Sequence, residues 1–255
     1  MPRRGTPPPI AVSDAAGVRT LHIGGTAMQS AMRLDAPFAL QLDYTRCMMA
    51  FLLFHPQPRR ALLIGLGGGS IAKFLHRHFR TLRVKAVEID PRVVGVARSQ
   101  FALPPDDARL EVEVGDGAAA LSTGCCDLLV ADAFDDETPV GHLAGEEFYR
   151  AAWDALATPG VLVTNLMSDD PKLDSRLQAL KRAFGGAAAR LPALSDPNLI
   201  AFGLKGMPAR IPRELLLARA RGLEARYGLP FRRYAKGLRG MTRGKAAELL
   251  LADGA

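Results

Sequence analysis

Several apolar runs in this chain end in residues that could hold or activate a ligand. Ala61-Leu-Leu-Ile leads into Gly65-Leu-Gly67-Gly68-Gly69-Ser70, and a second run ends in Val87-Glu88-Ile-Asp90. Glycine lets the backbone turn tightly and approach a ligand that any Cβ would hold off. The amides opening the helix that follows such a turn then face the ligand. Glu88 lies 23 residues after Gly65, close to the roughly 20-residue offset at which an acidic side chain meets a ribose diol in nucleotide-binding βαβ units. Together they predict a nucleoside site. The glycines alone could simply connect a strand to a helix, and Gly65-x-Gly67-x-x-Ser70 is short of the full dinucleotide fingerprint. A third run, Leu110-Glu-Val-Glu-Val, ends in Gly115-Asp116-Gly117. Asp116 has two readings, an acceptor for an adenine amino group or a turn or helix-capping residue.

The second chemical signal is Asp132-Ala-Phe-Asp135-Asp136-Glu137, which follows the apolar run Leu128–Ala131. Ligands of open α/β sheets sit beyond the carboxyl ends of the strands, and Asp132 stands at such an end. Crowded carboxylates repel one another, so the cluster suits either solvent or a cationic substrate.

These residues need a scaffold, and the hydrophobic pattern supplies one. Strands are expected at 61–65, 83–88, 109–114, 127–132 and 160–165, and helices at 69–79, 91–100, 145–157 and 172–183. The near-continuous apolar strands suit a mostly parallel sheet with helices on both faces. Before it, 18–23 and 26–32 alternate with period two around Gly24-Gly25, which reads as a hairpin. Residues 42–54 read as an apolar helix stopped by His55-Pro-Gln-Pro58. After it, 199–204 reads as a last, antiparallel strand, 212–227 as an amphipathic helix and 241–252 as a short terminal helix. The expected divisions are a disordered leader at 1–9, a small β segment with a linking helix at 10–54, and the ligand-binding unit at 55–255.

The length of 255 residues allows one substantial core with a small appendage. No apolar run approaches the roughly 20 residues that cross a membrane, and the charged Pro-rich start lacks the apolar stretch of a signal peptide. Three cysteines, two of them adjacent, give no disulfide framework and no zinc spacing, so a cytoplasmic location and no metal are expected. The net charge of +7 is concentrated in residues 205–255, which hold twelve Lys/Arg and four Asp/Glu. Helices with arginine-rich exposed faces are common without any such partner, so a solvated basic face is preferred over a nucleic-acid partner.

Taken in order, Gly65-Leu-Gly-Gly-Gly69, Val87-Glu-Ile-Asp-Pro91, Val114-Gly-Asp-Gly117, Asp132-Ala-Phe-Asp135, Glu146-Glu-Phe-Tyr149 and Pro159-Gly-Val-Leu-Val-Thr164 resemble the spermidine synthase family over about residues 18–205. The resemblance implies an α/β methyltransferase-like Rossmann fold behind a small N-terminal β-hairpin domain, in a homodimer. It implies aminopropyl transfer from decarboxylated S-adenosylmethionine to a small amine, with methylthioadenosine leaving. By position, Glu88 would hold the ribose, Asp116 and Gly117 the adenine edge, and Gln29 would close over the nucleoside beside Gly65, Gly67 and Gly68. Asp132 matches the catalytic aspartate, Asp135 (with Asp136 next to it) the group gripping the amine, and Tyr44 the amine-facing tyrosine. An alkylamine with a pKa near 10 arrives protonated, so a neighbouring carboxylate that accepts its proton and another that holds its far end suit the chemistry.

The chain departs from the family on the amine side. Gly68 stands where the family has an aspartate, Ser70 replaces a glycine, and Tyr44-Thr45-Arg46 replaces Tyr-His-Glu, which would set Arg46 near a polycation's path. Two alternatives follow. One is a methyltransferase using S-adenosylmethionine, whose carboxylate suits an uncharged turn. The other is a nucleoside-binding homologue without turnover.

Overall fold

The computed structural model describes residues 7–132, 143–241 and 248–251. Its first element is an antiparallel three-stranded sheet, β1 (Ile10–Ala15), β2 (Val18–Ile23) and β3 (Met28–Arg33). The hairpin read from the sequence is β2–β3, and β1 adds the strand that its largely exposed pattern concealed.

The segment read as one helix from 42 to 54 divides into α1 (Asp43–Met48) and a 3-10 turn, Met49–Leu53, whose residues are all buried. The main sheet then begins. Its forward strands are β4 (Arg60–Ile64), β5 (Arg83–Glu88), β6 (Leu110–Val114), β7 (Cys126–Ala131) and β8 (Leu156–Met167), with α2 (Ser70–His78), α3 (Pro91–Gln100) and α4 (Glu146–Ala155) among them. Pro91 opens α3 in the first turn, where its missing N–H costs nothing, and Asp90 caps it by accepting from Arg92 N–H at 2.9 Å. After α5 (Leu173–Ala183) come β9 (Ala188–Pro192) and β10 (Asn198–Lys205), which run antiparallel to their neighbours. The chain continues through β11 (Arg210–Pro212), α6 (Arg213–Tyr227), α7 (Phe231–Gly237), β12 (Arg239–Gly240) and β13 (Glu248–Leu250).

The large sheet has the order β12-β9-β10-β8-β7-β4-β5-β6. From β4 the chain moves outward to β5 and β6, then returns to the other side of β4 as β7. That reversal opens a crevice at the carboxyl ends of β4 and β7, where open α/β sheets take ligands. One sheet face packs α1, α2, α6 and α7 in the larger core; the other packs α4 and α5.

The terminal helix expected at 241–252 is not formed at 248–250, which is β13 paired with β11. Glu248-Leu-Leu250 carries an apolar run too short for its periodicity to distinguish helix from strand, and β11 supplies the pairing. Among the described residues no helix is long and apolar enough to cross a membrane.

Candidate active site

Strand register brings the predicted residues to one edge. The last β4–β5 and β4–β7 partners are Ile64↔Val87 and Ile64↔Ala131, so Gly65, Glu88 and Asp132 all leave the sheet at the same level. The Asp132 N–H donates to Ile64 O at 2.9 Å, and Gly65 N–H donates to Val87 O at 2.9 Å.

The glycine-rich turn is clasped by the small sheet. Gly68 N–H donates to Ser30 Oγ at 2.8 Å, and Leu66 N–H donates to Glu88 Oε2 at 2.9 Å. Side chains of this chain thus already accept from the amides of Leu66 and Gly68. A Cβ on Gly68 would lie 2.7 Å from the Phe101 ring and 3.1 Å from Ser30 Cβ, so close approach, not backbone angle, requires glycine there. Gly67 also abuts Ser30 and lies near the Gln29 carbonyl. Gly117 lies against Ile64, with no room for a side chain.

Glu88 is buried, and its other oxygen accepts from Asp90 N–H at 3.1 Å. Asp116 is exposed and its Oδ1 accepts from Ala118 N–H at 2.9 Å, the bond of a turn-forming aspartate. Ile89, 67% exposed, and Val114, 49% exposed, leave apolar surface at the ends of the same two strands. Nothing in the sequence pattern had singled these two out.

Asp132 is the best-defined acidic group. Asn165 Nδ2 donates to its Oδ1 at 3.0 Å, and Asn198 Nδ2 donates to Asn165 Oδ1 at 2.9 Å. The Tyr44 hydroxyl lies between Asp132 and the Gln29 carbonyl, which is 3.4 Å away. Burial raises the Asp132 pKa to about 6, against the opposing pull of Asn165 and Tyr44. Burial and the nearby Asp132 charge hold the Tyr44 phenol well above its usual range. Helix α1 is fixed in turn, since Asp196 accepts from Tyr44 N–H at 2.9 Å and Asp43 accepts from Ser195 N–H at 2.9 Å.

The structure thus brings together Gln29, Tyr44, Gly67, Gly68 and Asp132, and sets Glu88, Asp116 and Gly117 along the same sheet edge. Asp135 and Asp136 lie outside the described residues. Arg46 acts on Tyr234 and is not among the groups that shift Asp132. Asn165 and Asn198 were missed, because in sequence they look like incidental polar residues at the ends of apolar strands. Among the described residues no cluster of His, Cys, Asp and Glu could hold a metal ion.

Residues 42–183 match the spermine/spermidine synthase domain. A polyamine aminopropyltransferase from Chromobacterium violaceum is 36% identical over 96% of this chain and 94% of its own length. The chain belongs to the spermine/spermidine synthase family. A structure described as a probable spermidine synthase from Corynebacterium glutamicum aligns with a TM-score of 0.69 at 22% identity, covering 92% of this chain and 93% of that one. Human methyltransferase-like protein 13, solved with SAH, aligns with a TM-score of 0.65 at 27% identity over 80% of this chain and 96% of its own.

Proposed function

We propose that this chain moves the aminopropyl group of decarboxylated S-adenosylmethionine to a small amine, releasing methylthioadenosine. The observation that carries the reading is the environment of Asp132. This carboxylate stands at the crevice with a raised pKa, and the side chains of the described residues that shift it, Asn165 and Tyr44, are neutral donors. A partly desolvated carboxylate without a resident cation is suited to a cationic substrate.

Glu88 would accept from the ribose hydroxyls, since two backbone N–H groups leave lone pairs free on its oxygens. Asp116 would accept from the adenine amino group, with Gly117 allowing close approach, while Ile89 and Val114 would offer the purine an apolar seat. Gln29 would cover the nucleoside from the small sheet, beside Gly65, Gly67 and Gly68. Tyr44 would line the amine path, and Asp135 and Asp136 would hold the acceptor's far end.

In the reaction the ammonium first gives up a proton to Asp132. The freed nitrogen lone pair attacks the methylene carbon next to the sulfonium. The carbon–sulfur bond breaks, its electrons pass to sulfur, and neutral methylthioadenosine leaves. Because the sulfonium already activates the carbon, alignment supplies much of the remaining catalysis, and no metal is called for. A homodimer in the cytoplasm, with no nucleic-acid partner, completes the proposal.

Uncharged Gly68 favours one competing reading, methyl transfer from S-adenosylmethionine. Mass spectrometry of purified protein with each donor and a panel of diamines and polyamines separates the two. Methylthioadenosine with an amine enlarged by one aminopropyl unit is the expected result. Adenosylhomocysteine with a methylated product would replace the proposal, and no product from either donor would leave the binding homologue.

A further inference from the structure

We infer that Asn165 and Asn198 form a relay of two amides that positions Asp132, Asn198 fixing which end of Asn165 meets the carboxylate. The inference rests on the proposed role of Asp132 as proton acceptor.

Register produces the relay. The last β7–β8 partners are Ala131↔Thr164, so Asp132 and Asn165 follow side by side and point to the same face. In the antiparallel β8–β10 pair Asn165 lies opposite Ile200, and Asn198, two residues from Ile200, projects on that face as well. Asn165 and Asn198 are only 6% and 8% exposed. Their face is otherwise built from apolar residues such as Val161, Val163 and Ile200. Amide side chains there are costly unless mutually bonded, and packing alone does not ask for them.

The chemistry sets a direction. An ionised carboxylate only accepts, so Asn165 must present its NH2 group. That orientation leaves the Asn165 carbonyl to be satisfied from behind, which Asn198 Nδ2 does. The reversed amide would set acceptor against acceptor at Asp132. Holding Oδ1 in this way fixes where the other carboxylate oxygen points, and so where a proton can be delivered.

Among the described residues the remaining titratable group beside Asp132 is Tyr44 from α1, with Asp196 of the β9–β10 turn behind it. Neither touches the Asn165–Asn198 bond. Removing the Asn165 donor should therefore make Asp132 harder to ionise without changing its other neighbours.

The test uses the full chain and the variants Asn165→Leu, Asn198→Leu, Asn198→Ala and the double Leu variant. Asn198→Ala removes the same donor without adding a charge that would itself shift Asp132, and serves if a Leu variant fails to fold. Each single variant should lower kcat roughly tenfold, as expected for one hydrogen bond to a charged group, with KM for the sulfonium donor unchanged. The acidic limb of the pH–rate profile should move up by about one unit. The double variant should match Asn165→Leu, because Asn198 acts through Asn165. An unmoved pH profile with only a lower Tm would overturn the relay. If the unaltered chain turns over no amine, the proposed function fails and the relay is read from the 13C-carboxyl titration of Asp132, assigned by its loss in Asp132→Asn. An upward midpoint in Asn198→Leu, which adds no charge, then supports the relay, and an unchanged one overturns it.

Discussion

At Asp132, catalysis and stability pull in opposite directions. Its folded pKa of about 6 lies above the ordinary value of 3.8, so folding favours the protonated acid. Below the unfolded pKa the group makes no difference; as pH rises through 3.8 to about 6 it subtracts stability, and that loss persists above. Asp132→Asn should therefore abolish turnover yet raise stability at pH 7.5 by on the order of 2 kcal/mol. Urea unfolding at pH 7.5 and at pH 4 checks this, because the gain should shrink at the lower pH. In the active protein kcat/KM should rise with pH through about 6 as Asp132 becomes able to accept a proton. Gly68 gives a second test. Since Phe101 and Ser30 fill the space a side chain would need, Gly68→Asp should lose about 1–3 kcal/mol in urea unfolding, with no gain in aminopropyl transfer. Glu88 and Asp132 were legible because each ends an apolar run. Asn165 and Asn198 were not, because the bond joining them depends on the pairing of strands more than thirty residues apart.

The elements around the turn are held by an unusual group. Lys73 of α2 is 1% exposed, and its Nζ donates to Phe101 O and lies 3.3 Å from Met32 Sδ in β3. It thereby ties α2 to the end of α3 and to the small sheet. Burial lowers its pKa to about 8 from 10.5, so folding disfavours the charged amine. The unfolded chain binds more protons between these values, and stability should rise as pH increases from about 8 to 10.5. Lys73→Met should flatten that rise. At neutral pH its net effect should be small, since relief of the buried charge is offset by a Phe101 carbonyl left without a donor. Thermal melts of both proteins from pH 7 to pH 10 check the slope. The element scale also shows where sequence periodicity ran out. β1 is exposed at four of its six positions, and β9 is a short Ala-Ala-Arg-Leu-Pro stretch whose strand character comes from β10 and β12. β13 owes its conformation to β11. In each case the partner decides, and local pattern says little.

At the scale of the whole molecule, the three-stranded sheet is fastened to one half of the large sheet. Arg19 Nη1 donates to Gln100 O at 2.8 Å, Arg92 Nη1 donates to Pro8 O at 3.0 Å, and Ser30 accepts from Gly68 N–H. The basic C-terminal region is likewise partly consumed by structure. Arg219 donates to Leu53 O at 2.7 Å, Arg213 to Ala235 O at 3.3 Å, and Arg232 pairs with Glu224 at 2.7 Å. The overall architecture was legible because alternating strand and helix patterns constrain topology strongly. The fastening was not, since two of these three bonds end on backbone carbonyls, which carry no sequence signature. It has a measurable consequence. Because Ser30 and Glu88 grip the same glycine-rich turn from different sheets, a nucleoside seated there should stabilise both sheets together. At about 100 times its Kd, methylthioadenosine should add ~2.7 kcal/mol. Hydrogen exchange should then slow in Met28–Arg33 as well as in Arg83–Glu88. Glu88→Gln, which weakens the ribose acceptor, should remove most of both effects at the same ligand concentration. Slowing confined to the large sheet would show that the small sheet is a separate opening unit, and that Gln29 and Ser30 do not share in binding.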